Sequence, residues 1–275
     1  MKKIIAAEKL DDYKEQMNRE ELSGNTIKKY CFDVEQWLEY QREEIDMESM
    51  LEYKRYLVET YSISSVNSKL ISINRYLKWL GHSELVLKTR RTQNKTSIDN
   101  MIAKDEYNRM LEYAKDTNRM KMYYIMRAIA LTGIRIGELK YITVEALKTG
   151  VVEVYNKGKY RTIYFSSQLS CDLLRYCEVF DITEGVVFCG KNSGKCISTV
   201  GVWKNMKYIA EKVGVPAAKV YPHSLRHLFA KTYMEKIGDV TELSDLLGHS
   251  RLETTWIYTK TTSDEKRSRL GKLDL

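Results

Sequence analysis

The segment TGIRIGEL, residues 132–139, places an arginine and a glutamate inside an apolar stretch. The glycine at position 133 predicts a turn, and the apolar spacing after it predicts a helix over residues 136–147. Arg135 then stands at the turn into this helix, and Glu138 lies one helical turn further on. These two charged residues are the first candidates for a functional site.

The segment HSLRH, residues 223–227, brings two of the chain's four histidines beside an arginine. His223 and His227 stand one helical turn apart, which would suit a metal, but the segment lacks the internal glutamate of the HExxH zinc motif. Arg226 lies on nearly the same face and would repel a cation. A guanidinium beside imidazoles fits a phosphate better. A surface arginine with packed histidines is the alternative.

Helical periodicity accounts for most of the sequence after residue 100. The one clear interruption is VVEVYNKGKYRTIYF, residues 151–165. Its two β-rich runs flank a polar turn containing Gly158, so it predicts a hairpin. The other predicted helices cover residues 105–114, 123–131, 168–180, 200–213, 223–236 and 240–247.

The first part of the chain predicts a small four-helix domain. Apolar residues recur at helical spacing over residues 25–41 and 64–80, and Gly81 ends the second of these helices. Shorter helical stretches lie near residues 8–21 and 48–60.

Residues 88–100, KTRRTQNKTSIDN, have almost no apolar periodicity and predict a basic linker. The formal charge of +8 is uneven, because residues 1–100 carry 17 basic and 17 acidic side chains, whereas residues 101–275 carry 28 and 20. A basic surface from the linker onward could follow a phosphate backbone, although an ordinary solvated surface would give the same counts.

Length and composition favour a cytosolic protein of two helical domains. The 275 residues exceed the roughly 100–200 of a typical domain. No apolar run approaches the ~18 residues of a membrane span, and the start turns acidic before a signal-peptide core develops. The five cysteines contain no CxxC pair, which argues against a disulfide framework or a zinc ribbon.

Five segments together resemble the tyrosine recombinase (phage integrase) family: TGIRIGEL, NKGKYR, HSLRH, LGHS and TTWIYT. They occur in the family's order, which is Arg, Lys, His-x-x-Arg, His, Tyr. The 23 residues from Arg226 to His249 and the nine from there to Tyr258 resemble compact two-domain members of the XerC and XerD type. The motifs cover residues 101–270, and residues 8–85 resemble the family's core-binding domain through their helical pattern alone.

The resemblance implies a mainly α fold with a small β-hairpin. A helical core-binding (SAM-like) domain that binds DNA would occupy residues 1–87, the basic linker 88–100, and the catalytic domain 101–275, with a C-terminal tail from residue 263. The implied activity is site-specific cleavage and religation of DNA strands through a 3′-phosphotyrosyl intermediate. The resemblance implies no metal, ATP or other cofactor.

The implied reaction needs a nucleophile, stabilisation of the charged transition state and a proton for the leaving oxygen. On this resemblance, Arg135 and Arg226 hold the non-bridging phosphate oxygens, and their permanent charge replaces that of a metal ion. Tyr258 is the nucleophile, and its phenol, with an ordinary pKa of about 10, needs a nearby base or positive potential.

The remaining catalytic roles are also carried over from the family. His223 would act as general base or position the phosphate, and His249 would donate a hydrogen bond to the scissile phosphate. Lys157, in the hairpin turn, would protonate the leaving 5′ oxygen, with Lys159 as the fallback.

Supporting and DNA-binding residues complete the predicted site. Glu138 would orient the arginines and histidines, and His227 would pack beneath them. The predicted DNA-binding residues are Lys69, Arg75, Lys78, Lys88, Arg90, Arg91, Lys159 and Arg161.

The implied partner is double-stranded DNA, bound by a homotetramer that spans two sites and exchanges C-terminal tails. The resemblance leaves room for accessory DNA-bending or directionality proteins, and it implies a nucleoid-associated, cytoplasmic enzyme with no membrane partner. Because no arm-binding domain precedes residue 1, we expect a compact member and not a large lambda-type integrase. Trp256 and Lys260 depart from the residues that are frequent at their positions.

Two other functions stay open. A type IB topoisomerase shares the tyrosyl chemistry but relaxes one duplex as a monomer, and the helical N-terminal domain argues against it. A DNA-binding regulator with a silent site is the other, and the complete catalytic set argues against that one.

Overall fold

The computed structural model describes residues 2–41, 44–90, 101–156, 159–190, 196–221, 223–248 and 252–259. The chain divides into two compact units, residues 1–95 and 96–275, and each has its own apolar core. The DNA-binding and catalytic roles predicted for the two parts remain predictions. Within the described residues, no helix is both long enough and apolar enough to cross a bilayer.

The described part of the first unit contains five α-helices. The helix predicted near residues 8–21 is interrupted at Lys9, so α1 precedes α2. The helices are α1 (Lys3–Glu8), α2 (Leu10–Arg19), α3 (Gly24–Tyr40), α4 (Met47–Thr60) and α5 (Ile63–Trp79).

Side-chain caps explain where three of these helices begin. The Ser23 hydroxyl accepts a hydrogen bond from the backbone N–H of Thr26, and the Ser62 hydroxyl does the same at the start of α5. At the start of α4, Asp46 accepts from the N–H of Ser49 at 2.8 Å, and the Ser49 hydroxyl lies 3.1 Å from the Asp46 nitrogen. Each cap satisfies backbone donors that have no partner inside the helix.

Two asparagines of α5 hold the chain that leaves the first unit. The Asn74 amide donates to the carbonyl of Leu87 at 2.7 Å and accepts from its N–H at 3.0 Å. Asn67 makes the same pair of bonds with Arg90, both at 2.8 Å. The start of the predicted linker is therefore held against α5 by hydrogen bonds to its backbone N–H and carbonyl groups.

The second unit is also mainly helical. Its helices are α6 (Lys104–Asp116), α7 (Met120–Thr132), α8 (Val144–Thr149), α9 (Ser167–Val179), α10 (Thr199–Lys212), α11 (Ser224–Lys236) and α12 (Val240–Leu247). Short 3₁₀ segments include Ile136–Tyr141 and Trp256–Thr259.

The prediction of a single helix over residues 136–147 is wrong. Residues Ile136–Tyr141 form a 3₁₀ segment, the chain then leaves the helical conformation, and α8 begins only at Val144. Between them the chain is extended, because the N–H of Val144 donates to Gly185 at 2.9 Å and the carbonyl of Ile142 accepts from Val187 at 3.0 Å. Bonds to a distant segment thus replace the helical ones.

The predicted hairpin consists of β1 (Val151–Asn156) and β2 (Lys159–Tyr164), which pair antiparallel. Residues alternate between its two faces. Val154 and its partner Arg161 are buried, whereas Tyr160 is 77% exposed. The predicted fold class, mainly α with a small β-hairpin, is confirmed.

We expect the contact between α3 and α5 to dominate the stability of the first unit. Leu70→Ala removes a side chain with 0% exposure and should lower the unit's free energy of unfolding by about 2–5 kcal/mol. The adjacent Ile71, 50% exposed, provides the control, because Ile71→Ala should change it by less than about 0.5 kcal/mol. Urea unfolding followed by tryptophan fluorescence, to which buried Trp37 and nearby Trp79 of the first unit contribute, measures both. Equal losses would contradict the packing.

Candidate active site

Arg135 and Glu138 lie together at the start of the first 3₁₀ segment. The backbone N–H of Arg135 donates to Glu138 Oε2 at 2.8 Å, and the Arg135 guanidinium lies 3.0 Å from Oε1. Glu138 is 2% exposed, while the side chain of Arg135 keeps 30% of its surface in solvent. The glutamate therefore orients an arginine that still reaches solvent.

Three arginines donate to three successive backbone carbonyls at the C-terminal end of α12. Such carbonyls have no partner inside the helix and carry the negative end of its dipole, so guanidinium groups are favourable partners for them. The three bonds are Arg161 Nη1 to Leu246 O at 2.6 Å, Arg226 Nη2 to Leu247 O at 2.5 Å, and Arg135 Nη2 to Gly248 O at 3.1 Å. We call this group the arginine cluster.

Glu138 balances part of the cluster's charge. Arg161 also forms a close ion pair with Glu138 Oε2, so one carboxylate serves two guanidiniums. Burial alone would raise the pKa of Glu138, but the charges and hydrogen bonds of Arg161 and Arg135 outweigh it and lower that pKa. Three positive groups and one negative group leave a formal charge of +2. This excess suits an anion.

Arg226 is the most deeply buried member of the arginine cluster. It is 4% exposed, and its second terminal nitrogen donates to Gly133 O at 2.7 Å. Burial and the charges of Arg135 and Arg161 lower the pKa of Arg226 to about 9, which leaves the group charged at neutral pH. Gly133 has a φ of +63°, and a Cβ there would lie 2.4 Å from Phe229 Cδ1.

Tyr258 lies in the last described 3₁₀ segment, beside α11. It is 8% exposed, and its hydroxyl forms a close hydrogen bond with His227 Nδ1. Burial raises the pKa of Tyr258 to about 12, although the charge of Arg226 works in the opposite direction. Burial, with His223 and Arg226, lowers the pKa of His227 to about 4. The phenol and imidazole are thus both neutral at pH 7.

His223 stands at the N-terminal cap of α11 and is exposed at the surface. The pKa of its imidazole is nevertheless lowered, first by desolvation from the packed groups around it and then by the charges of Arg226 and Arg135. The lowered pKa favours the neutral imidazole, which is the form that can accept a proton.

The structure brings together Arg135, Glu138, His223, Arg226, His227 and Tyr258 among the predicted site residues. Lys157 and His249 lie outside the described residues, as do Arg91, Lys260 and the tail from residue 263. For Lys159 only the backbone is described.

The predicted DNA-binding residues of the first unit are placed in two ways. Lys69 is engaged inside the unit, with its ammonium 3.5 Å from buried Asp33 and its side chain 11% exposed. Arg75 is paired closely with Glu20. Lys78, Lys88 and Arg90 are exposed.

Arg161 was predicted to bind DNA, but its side chain is 5% exposed and its terminal nitrogens bind Glu138 and Leu246. It therefore belongs to the interior of the site and presents no surface to DNA in this structure. Strand alternation is the signal that was overlooked, since Arg161 shares a face with Ile163 while Tyr160 and Tyr164 occupy the other. No feature of the sequence indicated that a backbone carbonyl at the end of α12 would bind Arg161.

Two further features bear on the predicted chemistry. Trp256, which departs from the family pattern, is 54% exposed and so does not displace the buried tyrosine. Across the described ranges, no group of three or more His, Cys, Asp or Glu side chains is arranged to hold a metal ion.

Comparison with known proteins identifies the family. The model of the phage integrase family matches residues 100–265, which is more than half of the chain, so the chain belongs to this family. It is a tyrosine recombinase, as the sequence motifs predicted, and its activity class is DNA recombination.

The relatives cover nearly the whole chain. Tyrosine recombinase XerA of Pyrococcus furiosus is 26% identical over 281 residues, covering 99% of this chain and 96% of the relative. Tyrosine recombinase XerD of Staphylococcus aureus is 27% identical over 273 residues, covering 90% and 91%.

Solved structures share the fold. A crystal structure of XerA recombinase is 25% identical with a TM-score of 0.54, covering 98% of this chain and 99% of that one. The Tn1549 transposon integrase in complex with transposon right end DNA is 16% identical with a TM-score of 0.76 and full coverage of both chains. A lambda integrase tetramer bound to a Holliday junction is 15% identical with a TM-score of 0.74, covering 92% and 78%.

A methyl group at Gly248 should disturb the arginine cluster. A Cβ there would lie 2.6 Å from Arg161 Cδ, whereas a Cβ at Gly238 meets nothing closer than 3.9 Å. Both glycines have positive φ, so Gly238→Ala should cost about 1 kcal/mol through backbone strain alone. Gly248→Ala should cost a further ~1–3 kcal/mol through the clash. Urea unfolding of the second unit compares them, and similar losses would contradict the close approach.

The lowered pKa of His227 predicts acid sensitivity of the second unit. Folding favours the neutral imidazole, whose unfolded pKa is about 6.5. This contribution is present above that pH and is lost as the pH falls towards the folded value of about 4; the loss is at most about 3 kcal/mol. His227→Asn cannot titrate, so its free energy of unfolding should fall less than that of the wild type.

Urea unfolding of the second unit between about pH 7 and pH 4 measures this difference. His82→Asn, in the first unit, should leave the acid sensitivity of the second unit intact. If His227→Asn and the wild type lose the same free energy, the assignment is wrong.

Proposed function

We propose that this chain is a site-specific DNA recombinase that cuts and rejoins DNA strands through a 3′-phosphotyrosyl bond to Tyr258, without metal or ATP. One observation carries the proposal. Arg135 and Arg226 stand 91 residues apart in the sequence, yet they donate to the neighbouring carbonyls of Gly248 and Leu247 at the end of α12. The charge of Arg226 also acts on the buried Tyr258.

The arginine cluster supports the binding of a scissile phosphate. Arg135 combines a fixed orientation with solvent access, so its guanidinium is the accessible donor to a non-bridging oxygen. Arg226 lies deeper and adds its positive charge from beneath. Fixed cations in a site with little water stabilise the charge of a five-coordinate phosphorus without reorganisation. His249, which follows Gly248 in the chain, would donate to the same phosphate.

Tyr258 must leave its hydrogen bond with His227 to attack. The phenol is protonated in the described arrangement because burial raises its pKa to about 12. His223, whose lowered pKa favours the neutral imidazole, would accept the phenolic proton or position the phosphate. The charge of Arg226 favours the phenolate. His227 in this proposal holds the tyrosine before the reaction.

The bond changes balance without a further reactant. The tyrosine oxygen forms a bond to phosphorus, the bond from phosphorus to the 5′ oxygen breaks, and Lys157 supplies the proton that this oxygen takes up, with Lys159 as the fallback. The phosphotyrosyl ester keeps the energy of the broken ester, so a 5′-hydroxyl can reverse the step. Recombination results if that hydroxyl belongs to a partner duplex.

The proposed assembly is a homotetramer on two double-stranded DNA sites, in which the tail from residue 263 docks on a neighbour. The lambda integrase in the tetramer structure holds a Holliday junction, which is the form of assembly that we carry over. In the first unit, exposed Lys78, Lys88 and Arg90 are the described residues that we assign to the DNA backbone.

Covalent capture tests the chemistry. We expect the wild-type chain, incubated with sheared genomic DNA of the organism that encodes it and stopped with detergent, to yield a covalent adduct at a discrete sequence. Tyr258→Phe should abolish the adduct, since it removes only the attacking oxygen. Tyr208→Phe, at an exposed tyrosine of α10, is the matched control and should retain it.

The captured sequence then separates the alternatives. On two duplexes that carry it, a recombinase exchanges strands, whereas a type IB topoisomerase relaxes supercoils without exchange. A silent DNA-binding regulator shifts the duplex in a gel but forms no adduct. Adduct formation that survives Tyr258→Phe would reject the proposed nucleophile.

A further inference from the structure

We propose that Arg161 is a positioning residue of the recombination reaction, which holds both partners of the Arg135 guanidinium so that Arg135 meets the scissile phosphate. The inference rests on the proposed function above. It replaces the DNA contact that the sequence predicted for Arg161.

Arg161 touches each group that orients Arg135. The side chain of Arg135 bonds Glu138 through Oε1 and Gly248 through its carbonyl. The Arg161 guanidinium pairs with the other oxygen of the same Glu138, and its Cδ fills the space beside the α-carbon of Gly248. Arg161 and Arg135 also repel each other as like charges. The attractive contacts that could position Arg135 therefore run through the two shared partners, Glu138 and Gly248.

Arg161 also ties the hairpin to α12. It lies on the inward face of β2 opposite Val154, and its Nη1 donates to Leu246 O at 2.6 Å. One side chain thus fixes the strand, the glutamate and the helix end relative to one another. The helix end is the element from which the chain continues to His249.

A purely stabilising role explains this arrangement poorly. Desolvating a buried ion pair offsets most of its attraction, and apolar side chains of similar volume are often as stable. Arg161 also has a buried Nε without a hydrogen-bond partner among the described residues. An orientation role uses what only arginine offers, namely a planar group with several donors in fixed directions.

The test compares Arg161→Gln and Arg161→Lys with the wild type on nicked duplexes carrying the captured sequence. We expect Arg161→Gln to bind the duplex within about twofold of the wild type and to form the covalent adduct roughly 100-fold more slowly, the loss typical of a misplaced catalytic group. Arg161→Lys, which keeps the charge but not the fork of donors, should fall between them.

A modified substrate separates positioning from folding. Replacing one non-bridging oxygen of the scissile phosphate with a methyl group removes the negative charge that Arg135 neutralises. For one of the two methylphosphonate diastereomers, the defect of Arg161→Gln relative to the wild type should shrink to a few-fold, and Arg135→Gln should improve on that same diastereomer. A defect that is equal on all substrates would overturn the proposal, as would wild-type cleavage by Arg161→Gln.

A matched arginine variant controls for the loss of an ion pair as such. Arg127, in α7 of the same unit, is not a member of the arginine cluster, and its guanidinium lies 2.7 Å from the carboxylate of Asp172. Arg127→Gln should cleave at the wild-type rate. Thermal melting of each variant shows whether the second unit is folded. An unfolded Arg161→Gln leaves the test to Arg161→Lys, whose defect must show the same dependence on the diastereomer. Failure of the wild type to form any adduct would instead reject the proposed function.

Discussion

The convergence of three guanidinium groups on the C-terminal end of α12 is the interaction on which the rest of the site depends. Arg161, Arg226 and Arg135 come from a strand, a helix and a turn, and they donate to the carbonyls of residues 246, 247 and 248 in that order. The carbonyls supply oriented negative partial charge without a further ionised group. Like-charged side chains can therefore stay close together while the site keeps a net positive charge for a phosphate.

The glutamate and the tyrosine show how this charge is controlled. Glu138 neutralises part of it and stays ionised because its neighbours lower its pKa. Tyr258 is held nearby as a neutral phenol bonded to His227, because burial opposes its ionisation more strongly than Arg226 favours it. The fold thus keeps the proposed nucleophile protonated while the proposed phosphate-binding groups are already in place. Ordering these groups in advance reduces the reorganisation that the reaction requires.

Basic residues of the first unit serve different purposes, although their sequence context looks similar. Lys69 and Arg75 lie on a polar helix face, yet they pair with acidic side chains of their own unit. Lys78, Lys88 and Arg90 remain exposed. Charge counts therefore overstate the surface that a phosphate backbone can use, because part of the charge is consumed in holding helices together. The exposed basic residues lie at the end of α5 and on the segment that Asn67 and Asn74 bind.

The sequence by itself determined the family, the mainly helical fold and the hairpin, because motif spacing and side-chain periodicity are local properties. It also identified Arg135, Glu138, Arg226 and Tyr258 as parts of one site. It missed the break before α8, where bonds to residues 185–187 replace helical ones, and it predicted that Arg161, which is buried, binds DNA. Only the tertiary structure decided these points, because the partners of Arg161 are a carboxylate and a carbonyl 23 and 85 residues away. Contacts at such separations leave no periodic trace in the chain.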